Sequence, residues 1–164
     1  MIEIHDNFLN KKDFDKLTEV FTQNNTPFYL QKSIIEYPKP DNHVQMFHIL
    51  YENNVKSYLF DLIKPLIDKL KIKKLLKCKI NLLLRTDNIV EHGYHIDFIK
   101  KPKDLYTSIL YLNTNNGYTK FKKGIIVNSF LNRLVKFSNE QEHTGSTNNC
   151  KEPYRLVLNI NYTL

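Results

Sequence analysis

His92-Gly93-Tyr94-His95-Ile96-Asp97 decides how this chain is read, because it holds the sequence's one His-x-Asp. A strand repeats every two residues, so on a strand His95 and Asp97 stand side by side while Ile96 turns to the other face. One imidazole and one carboxylate are two thirds of a metal site. A second imidazole from elsewhere would complete the two-histidine, one-carboxylate facial triad, which leaves coordination positions open and suits non-haem Fe(II). On the same strand His92, three residues before His95, faces away and reads as surface. His5, His43 and His48 read as structural or exposed. Because the motif is short, its weight comes from its context.

Downstream of the motif the chain is nearly all strand. Short strands are expected at residues 92–98, 106–113, 118–121, 124–130, 133–137, near His143 and at 155–162, with turn residues between them. Just upstream, Cys78, Ile80, Leu82 and Leu84 alternate with Lys79, Asn81, Leu83 and Arg85, giving one apolar and one more polar face. Eight such strands point to a sandwich or barrel. In the last of them Leu156, Leu158 and Ile160 form a face that can receive helices, and Arg155, Val157, Asn159 and Asn161 form the other. An arginine facing a barrel interior needs an anion there, since burying an unpaired charge is costly.

The first half supplies those helices. After a short strand and turn at residues 2–8, Asn10 can cap a helix over 11–23 whose apolar stripe is Phe14, Leu17, Val20 and Phe21. Residues 28–37 and 44–50 are strand-like, with Pro38 and Pro40 breaking the chain between them. From Glu52 a second helical pattern runs to Leu70, kinked or restarted at Pro65, which lacks an N–H. The expectation is an α+β, mainly β, single domain over 1–164. Its N-terminal strands and supporting helices span 1–75 and its barrel core 76–164.

Composition narrows the class. The 164 residues are 41% hydrophobic and 12% aromatic, too apolar for disorder. With no apolar run of spanning length and no signal-like start, the chain reads as cytoplasmic. Cys78 and Cys150 lack metal spacing, which argues for a reducing compartment, no disulfide framework and no catalytic thiol. The net charge of +7 raises nucleic-acid binding, but 21 of the 24 basic residues are Lys and Asn reaches 19, a bias of A/T-rich coding. The runs at 69–79 and 100–103 therefore read as solvated faces.

The order His95-Ile96-Asp97, Tyr111-Leu112-Asn113, Gly117-Tyr118-Thr119-Lys120-Phe121, Asn132-Arg133-Leu134-Val135-Lys136-Phe137, His143 and Arg155 resembles the Fe(II)- and 2-oxoglutarate-dependent oxygenases. It is most similar to their prolyl 4-hydroxylase-like branch. The likeness covers residues 78–162, and Ile4-His5-Asp6-Asn7-Phe8-Leu9 followed by a helix is similar to that branch's start. The resemblance implies a double-stranded β-helix, the cupin-like jelly roll, with the N-terminal helices packed on one sheet. It implies Fe(II) held by His95, Asp97 and His143, and 2-oxoglutarate bound through its distal carboxylate by Arg155, with Tyr111 assisting. Guanidinium can grip a carboxylate with two parallel charged hydrogen bonds, which Lys cannot. The implied reaction consumes O2, releases succinate and CO2, and hydroxylates a C–H bond, with ascorbate as a further candidate cofactor. Peptidyl proline leads as substrate, followed by other protein residues or a small molecule, in a monomer or homodimer.

The chain also departs from that pattern. The family's Gly-Gly-x-Thr-x-Phe loses a glycine here and keeps Thr119 and Phe121. Arg85 stands where a tyrosine is common, near the cosubstrate or the substrate mouth. The nucleic-acid demethylases resemble a pattern with a second arginine six residues after the first, where this chain has Asn161. Asp97 is intact, unlike the small residue of related halogenases, so hydroxylation is favoured. Substrate recognition would fall to loops at 86–91, 100–104 and 144–153. Two other classes stay open: a catalytically inactive cupin-like binding module, and a basic nucleic-acid-binding protein with an accidental His-x-Asp.

Overall fold

A computed structural model describes residues 1–23, 25–34, 43–99, 102 and 104–164. The chain runs β1 (Ile2–His5), α1 (Lys11–Thr22), β2 (Tyr29–Gln31), β3 (Gln45–Glu52), β4 (Val55–Lys56), a 3₁₀ turn (Phe60–Ile63), α2 (Lys64–Leu70), β5 (Lys74–Leu84), β6 (Leu105–Tyr111), β7 (Tyr118–Phe121), β8 (Ile126–Asn128), β9 (Leu134–Ser138), β10 (His143–Gly145) and β11 (Tyr154–Thr163). It is mainly β, with an eight-stranded antiparallel sheet ordered β1-β9-β6-β11-β5-β3-β2, β4 on β3, and a three-stranded sheet ordered β10-β7-β8.

The alternation in β5 and β11 organises both sheets. Their antiparallel register sets Leu156 opposite Leu82, Leu158 opposite Ile80 and Ile160 opposite Cys78. This face joins Phe14, Leu17 and Phe21 of α1 and Leu66 and Leu70 of α2 in the main core. Asn10 caps α1 as expected, its side-chain oxygen accepting from the Asp13 N–H at 3.0 Å. The other face turns toward the small sheet. There Ile109, Tyr111, Phe121, Val127, Val135, Phe137 and Val157 form a second apolar cluster. The two thiols are free. Burial of Cys78 in the core pushes its thiol pKa up. Among the described residues, no helix is long and apolar enough to cross a membrane.

Three expectations are corrected. The helical pattern from Glu52 is a hairpin over its first part: Glu52 ends β3, and Asn53 and Asn54 turn the chain into β4 with φ of 51° and 64°. Asparagine tolerates positive φ better than most residues, so the pair makes the two-residue turn that a right-twisted hairpin favours. The helix proper starts at Lys64, with Pro65 in its first turn, where a missing N–H is harmless. Residues 92–98 are not a strand but an extended segment touching the small sheet through the isolated bridges His95 to His143 and Glu91 to Ser146. The strand expected over 28–37 is short, Tyr29–Gln31. Pro38 and Pro40, and most of the 100–104 loop with its lysine run, lie outside the described residues.

Candidate active site

The isolated bridge brings two imidazoles together from residues 48 apart in sequence. The His95 N–H donates to the His143 carbonyl and the His143 N–H to the His95 carbonyl, both at 3.0 Å. Their ring centroids lie 4.7 Å apart. Each ring is oriented by its own turn, with Nδ1 of His95 3.3 Å from the Gly93 carbonyl and Nδ1 of His143 3.2 Å from the Gln141 carbonyl. With Nδ1 donating, Nε2 keeps its lone pair, and both Nε2 atoms face Asp97 Oδ1, at 3.7 and 3.9 Å. Among the described residues this is the one cluster of three such donors, and its atoms all lie within 4.8 Å of one another.

Asp97 is held from behind. Its Oδ2 accepts from Thr107 Oγ1 at 2.8 Å, Asn161 Nδ2 at 2.6 Å and Asn159 Nδ2 at 3.5 Å, which leaves Oδ1 for the imidazoles. Asn139 clamps the next residue, its side chain bonding the Phe98 N–H at 3.1 Å and carbonyl at 2.8 Å. Burial works to raise the Asp97 carboxyl pKa. The two imidazoles and the bonds from Thr107 and Asn161 outweigh it and hold it at about 2. Burial lowers the His143 pKa, so that ring is kept neutral. A fixed carboxylate and two oriented imidazoles fit a divalent metal that takes mixed nitrogen and oxygen donors.

Arg155 enters the same cavity, which lies between the sheets and measures about 80 Å³. It is 2% exposed. Its Nε donates to Ser129 Oγ at 2.8 Å and its terminal nitrogen to Thr119 Oγ1 at 3.2 Å, while the guanidinium sits 5.5 Å from the Tyr111 ring centroid. Among the described residues no carboxylate pairs with it. Burial pulls its pKa down, the expected direction for a cation short of an anion. A triad of metal-type donors and a buried, acid-free guanidinium thus share one small cavity.

No family model and no curated protein matches this sequence. Solved structures do. A prolyl hydroxylase from Trichoplax adhaerens, in complex with an oxygen-degradation-domain peptide of hypoxia inducible factor, superposes with a TM-score of 0.71 at 14% identity, covering 99% of this chain and 83% of that one. A Pseudomonas putida prolyl 4-hydroxylase gives 0.62 at 14% identity, with 99% and 92% covered. The chain shares its fold with these prolyl hydroxylases. The same fold carries other chemistry, since a non-haem α-ketoglutarate-dependent epimerase of nogalamycin biosynthesis gives 0.69 at 10% identity, with 99% and 76% covered. Reaction type therefore has to be argued from the site.

Within this fold the expected site residues fall as follows. His95, Asp97 and His143 meet, and Arg155 shares their cavity. Tyr111 lies against Arg155 in the inner apolar cluster, its hydroxyl donating to the Val127 carbonyl at 3.3 Å. His92 is corrected. At 6% exposure it lines the cavity, because the segment is not a regular strand and residues three apart need not oppose one another. His43 stands beside it, Nδ1 to Nδ1 3.1 Å. His48 is structural, bonded to the Pro27 carbonyl and Ser57 Oγ at 2.9 Å each. Arg85 lines a neighbouring apolar groove with Leu30, Val44 and Leu84, outside the triad cavity. The basic run at 69–79 divides and is not wholly a solvated face: Lys69, Lys71 and Lys73 line a separate and larger surface cavity, about 490 Å³, while Lys79 lines the triad cavity.

Sequence reasoning missed the supporting residues. The signal for Asn159 and Asn161 was present as polar positions on the inward face of β11, but their partner Asp97 is more than 60 residues away. The Gly-x-Thr-x-Phe strand also does more than match a pattern. A Cβ on Gly117 would lie 2.7 Å from Arg155 Cδ, Thr119 accepts from Arg155, and the Phe121 ring lies 6.1 Å from that of His143.

Proposed function

We propose that this protein is a non-haem Fe(II)- and 2-oxoglutarate-dependent dioxygenase that hydroxylates a C–H bond on a protein residue, peptidyl proline being the substrate class of its prolyl-hydroxylase neighbours. The observation that carries this reading is the pairing, in one cavity, of the triad with a buried guanidinium that has no carboxylate partner among the described residues. A metal site alone would not need Arg155, and an inactive barrel would gain from replacing it with an apolar residue.

In this reading His95, Asp97 and His143 would hold Fe(II), their Nε2 atoms and Oδ1 being the atoms that face one another. Arg155 takes the distal carboxylate of 2-oxoglutarate, with Thr119 and Ser129 keeping the guanidinium aimed. Bound Fe(II), with 2-oxoglutarate and O2, supplies the oxidising power, releasing succinate and CO2 as the substrate gains oxygen. Thr107 and Asn161 keep Asp97 anionic and turned to one oxygen. Ile109 and Val157 give the cavity that the triad and Arg155 share its apolar walls, which would exclude water and strengthen charge pairing there. We take the two sheets as the halves of a double-stranded β-helix in a single domain, and the cell compartment as the cytoplasm.

The test is succinate release. Wild-type protein with Fe(II), 2-oxoglutarate and O2 should release succinate and stop when the metal is chelated. Undetectable release together with no measurable 2-oxoglutarate binding to the Mn(II)-loaded protein would overturn the proposal in favour of an inactive binding module.

A further inference from the structure

Two side-chain oxygens on the cavity wall take no part in the bonds that hold Asp97 or Arg155. Asn81 on β5 and Asn159 on β11 both line the triad cavity. In the antiparallel register Asn81 lies opposite Val157 and Asn159 opposite Lys79, so the two asparagines are diagonal neighbours on the inward face. Both side-chain oxygens are shut off from solvent, and among the described residues neither has a hydrogen-bond partner. Asn159 turns its amide nitrogen to Asp97, so the oxygen is the end left over.

A buried amide oxygen without a donor destabilises a fold, and native structures hold few of them. Two side by side, beside a metal-type triad, are not what packing alone selects. The other polar groups of this face are answered: Arg155 by Ser129 and Thr119, Asn161 by Asp97 and Thr107. Ionised 2-oxoglutarate cannot answer these oxygens, since carboxylates and ketones offer only acceptors. A peptidyl proline ring cannot either, having neither N–H nor O–H.

We propose that Asn81 and Asn159 form a polar subsite that accepts hydrogen bonds from the substrate, so that the oxidised carbon sits beside an amine, amide or hydroxyl group. This narrows the substrate from a bare proline ring to a donor-bearing amino-acid side chain. It rests on the oxygenase reading. Gln45 and Lys79 line the same wall and keep it hydrophilic. The rival occupant is ordered water, which would satisfy the oxygens without selecting a substrate.

The experiment has two arms. In the first, Asn81→Val and the smaller Asn81→Ala are melted without ligands. Removing an unanswered buried amide should raise the melting temperature of at least one variant by about 2–4 °C, the shift expected of a small gain in a domain of this size. A lower melting temperature in both means that the fold or bound water already satisfies the amide, and the subsite falls. In the second, wild type with Fe(II) and 2-oxoglutarate is given peptides identical except for a central Pro, Asn, Lys, His or Ser, and mass spectrometry reads the gain of one oxygen. Oxidation should fall on a donor-bearing residue and drop roughly tenfold in Asn81→Val, the effect of about one lost buried hydrogen bond. Oxidation of the proline peptide alone, equal in wild type and Asn81→Val, overturns the subsite. Absent succinate release and 2-oxoglutarate binding in wild type would instead count against the oxygenase reading, and the melting arm would still judge the asparagines.

Discussion

The two faces of β11 are both buried, yet they are built on different physical terms. Toward the helices, Leu156, Leu158 and Ile160 are at 0% exposure; toward the cavity, Arg155, Asn159 and Asn161 are at 2%, 8% and 2%. The helix side gains by withdrawing apolar area from water, about 25 cal/mol per Å². The cavity side withdraws a cation and two amides, which costs free energy unless each is bonded. Alternate residues of one strand thus carry two tasks: one face holds the fold together, and the other, in the function proposed above, gives up some stability to hold ligands in fixed directions. Substitutions on the two faces should therefore fail in different assays.

The largest effect is expected at the metal. Asp97→Ala should abolish Mn(II) binding measured by calorimetry while leaving the circular dichroism of the fold in place, because among the described residues Asp97 takes its hydrogen bonds from side chains of the cavity face. Next come Arg155 and Leu158, which set the two faces against each other. Arg155→Ala should weaken 2-oxoglutarate binding about a hundredfold or more, in line with about 3–5 kcal/mol for one-sided loss of a buried charge pair, and Arg155→Lys should recover only part of it. Leu158→Ala should instead cost about 2–5 kcal/mol of unfolding free energy, with cosubstrate affinity of the folded protein little changed. If Arg155→Ala unfolded the protein as readily as Leu158→Ala, the division between the faces would be wrong. A smaller step is Asn161→Leu, which removes one of the bonds behind Asp97. Metal affinity should fall about tenfold to a hundredfold, the usual scale for groups that orient a ligand, and unchanged affinity would show that Thr107 suffices.

The same two faces explain what could be read in the sequence. Leu156, Leu158 and Ile160 alternate with Arg155, Val157, Asn159 and Asn161, and a period of two in a long strand states both faces at once. His95, Asp97 and His143 were recoverable because their residue types and order resemble a known ligand set. What was hidden depends on backbone detail or on distant contacts. The 52–59 segment mimics a helix because Val55, Tyr58 and Leu59 fall at helical spacing, although Asn53-Asn54 was a turn signal in plain view. Val55 and Tyr58 turn out 72% and 74% exposed. His92 was assigned to the surface by applying strand periodicity to a segment held by isolated bridges. Thr107 and Asn139 left no local mark, since each acts on a segment brought near only by the folded sheets.

The smallest expected effect concerns Tyr111, where the faces meet. Its ring belongs to the inner apolar cluster and lies under the Arg155 guanidinium, while its hydroxyl donates to the Val127 carbonyl at 3.3 Å. Ring and hydroxyl can therefore be separated by substitution. Tyr111→Phe keeps the ring, and loss of one modest hydrogen bond should cost about 1 kcal/mol of stability. If the hydroxyl serves β8, 2-oxoglutarate affinity in the Mn(II)-loaded protein should change less than about threefold, because the guanidinium still rests on an aromatic face. Tyr111→Leu removes that face and should weaken cosubstrate binding more than Tyr111→Phe does, by letting Arg155 leave its aimed position. The opposite order, with Phe as damaging to 2-oxoglutarate binding as Leu, would mean that the hydroxyl itself reaches the cosubstrate. Tyr111 would then act as a direct binding group rather than as the floor beneath Arg155.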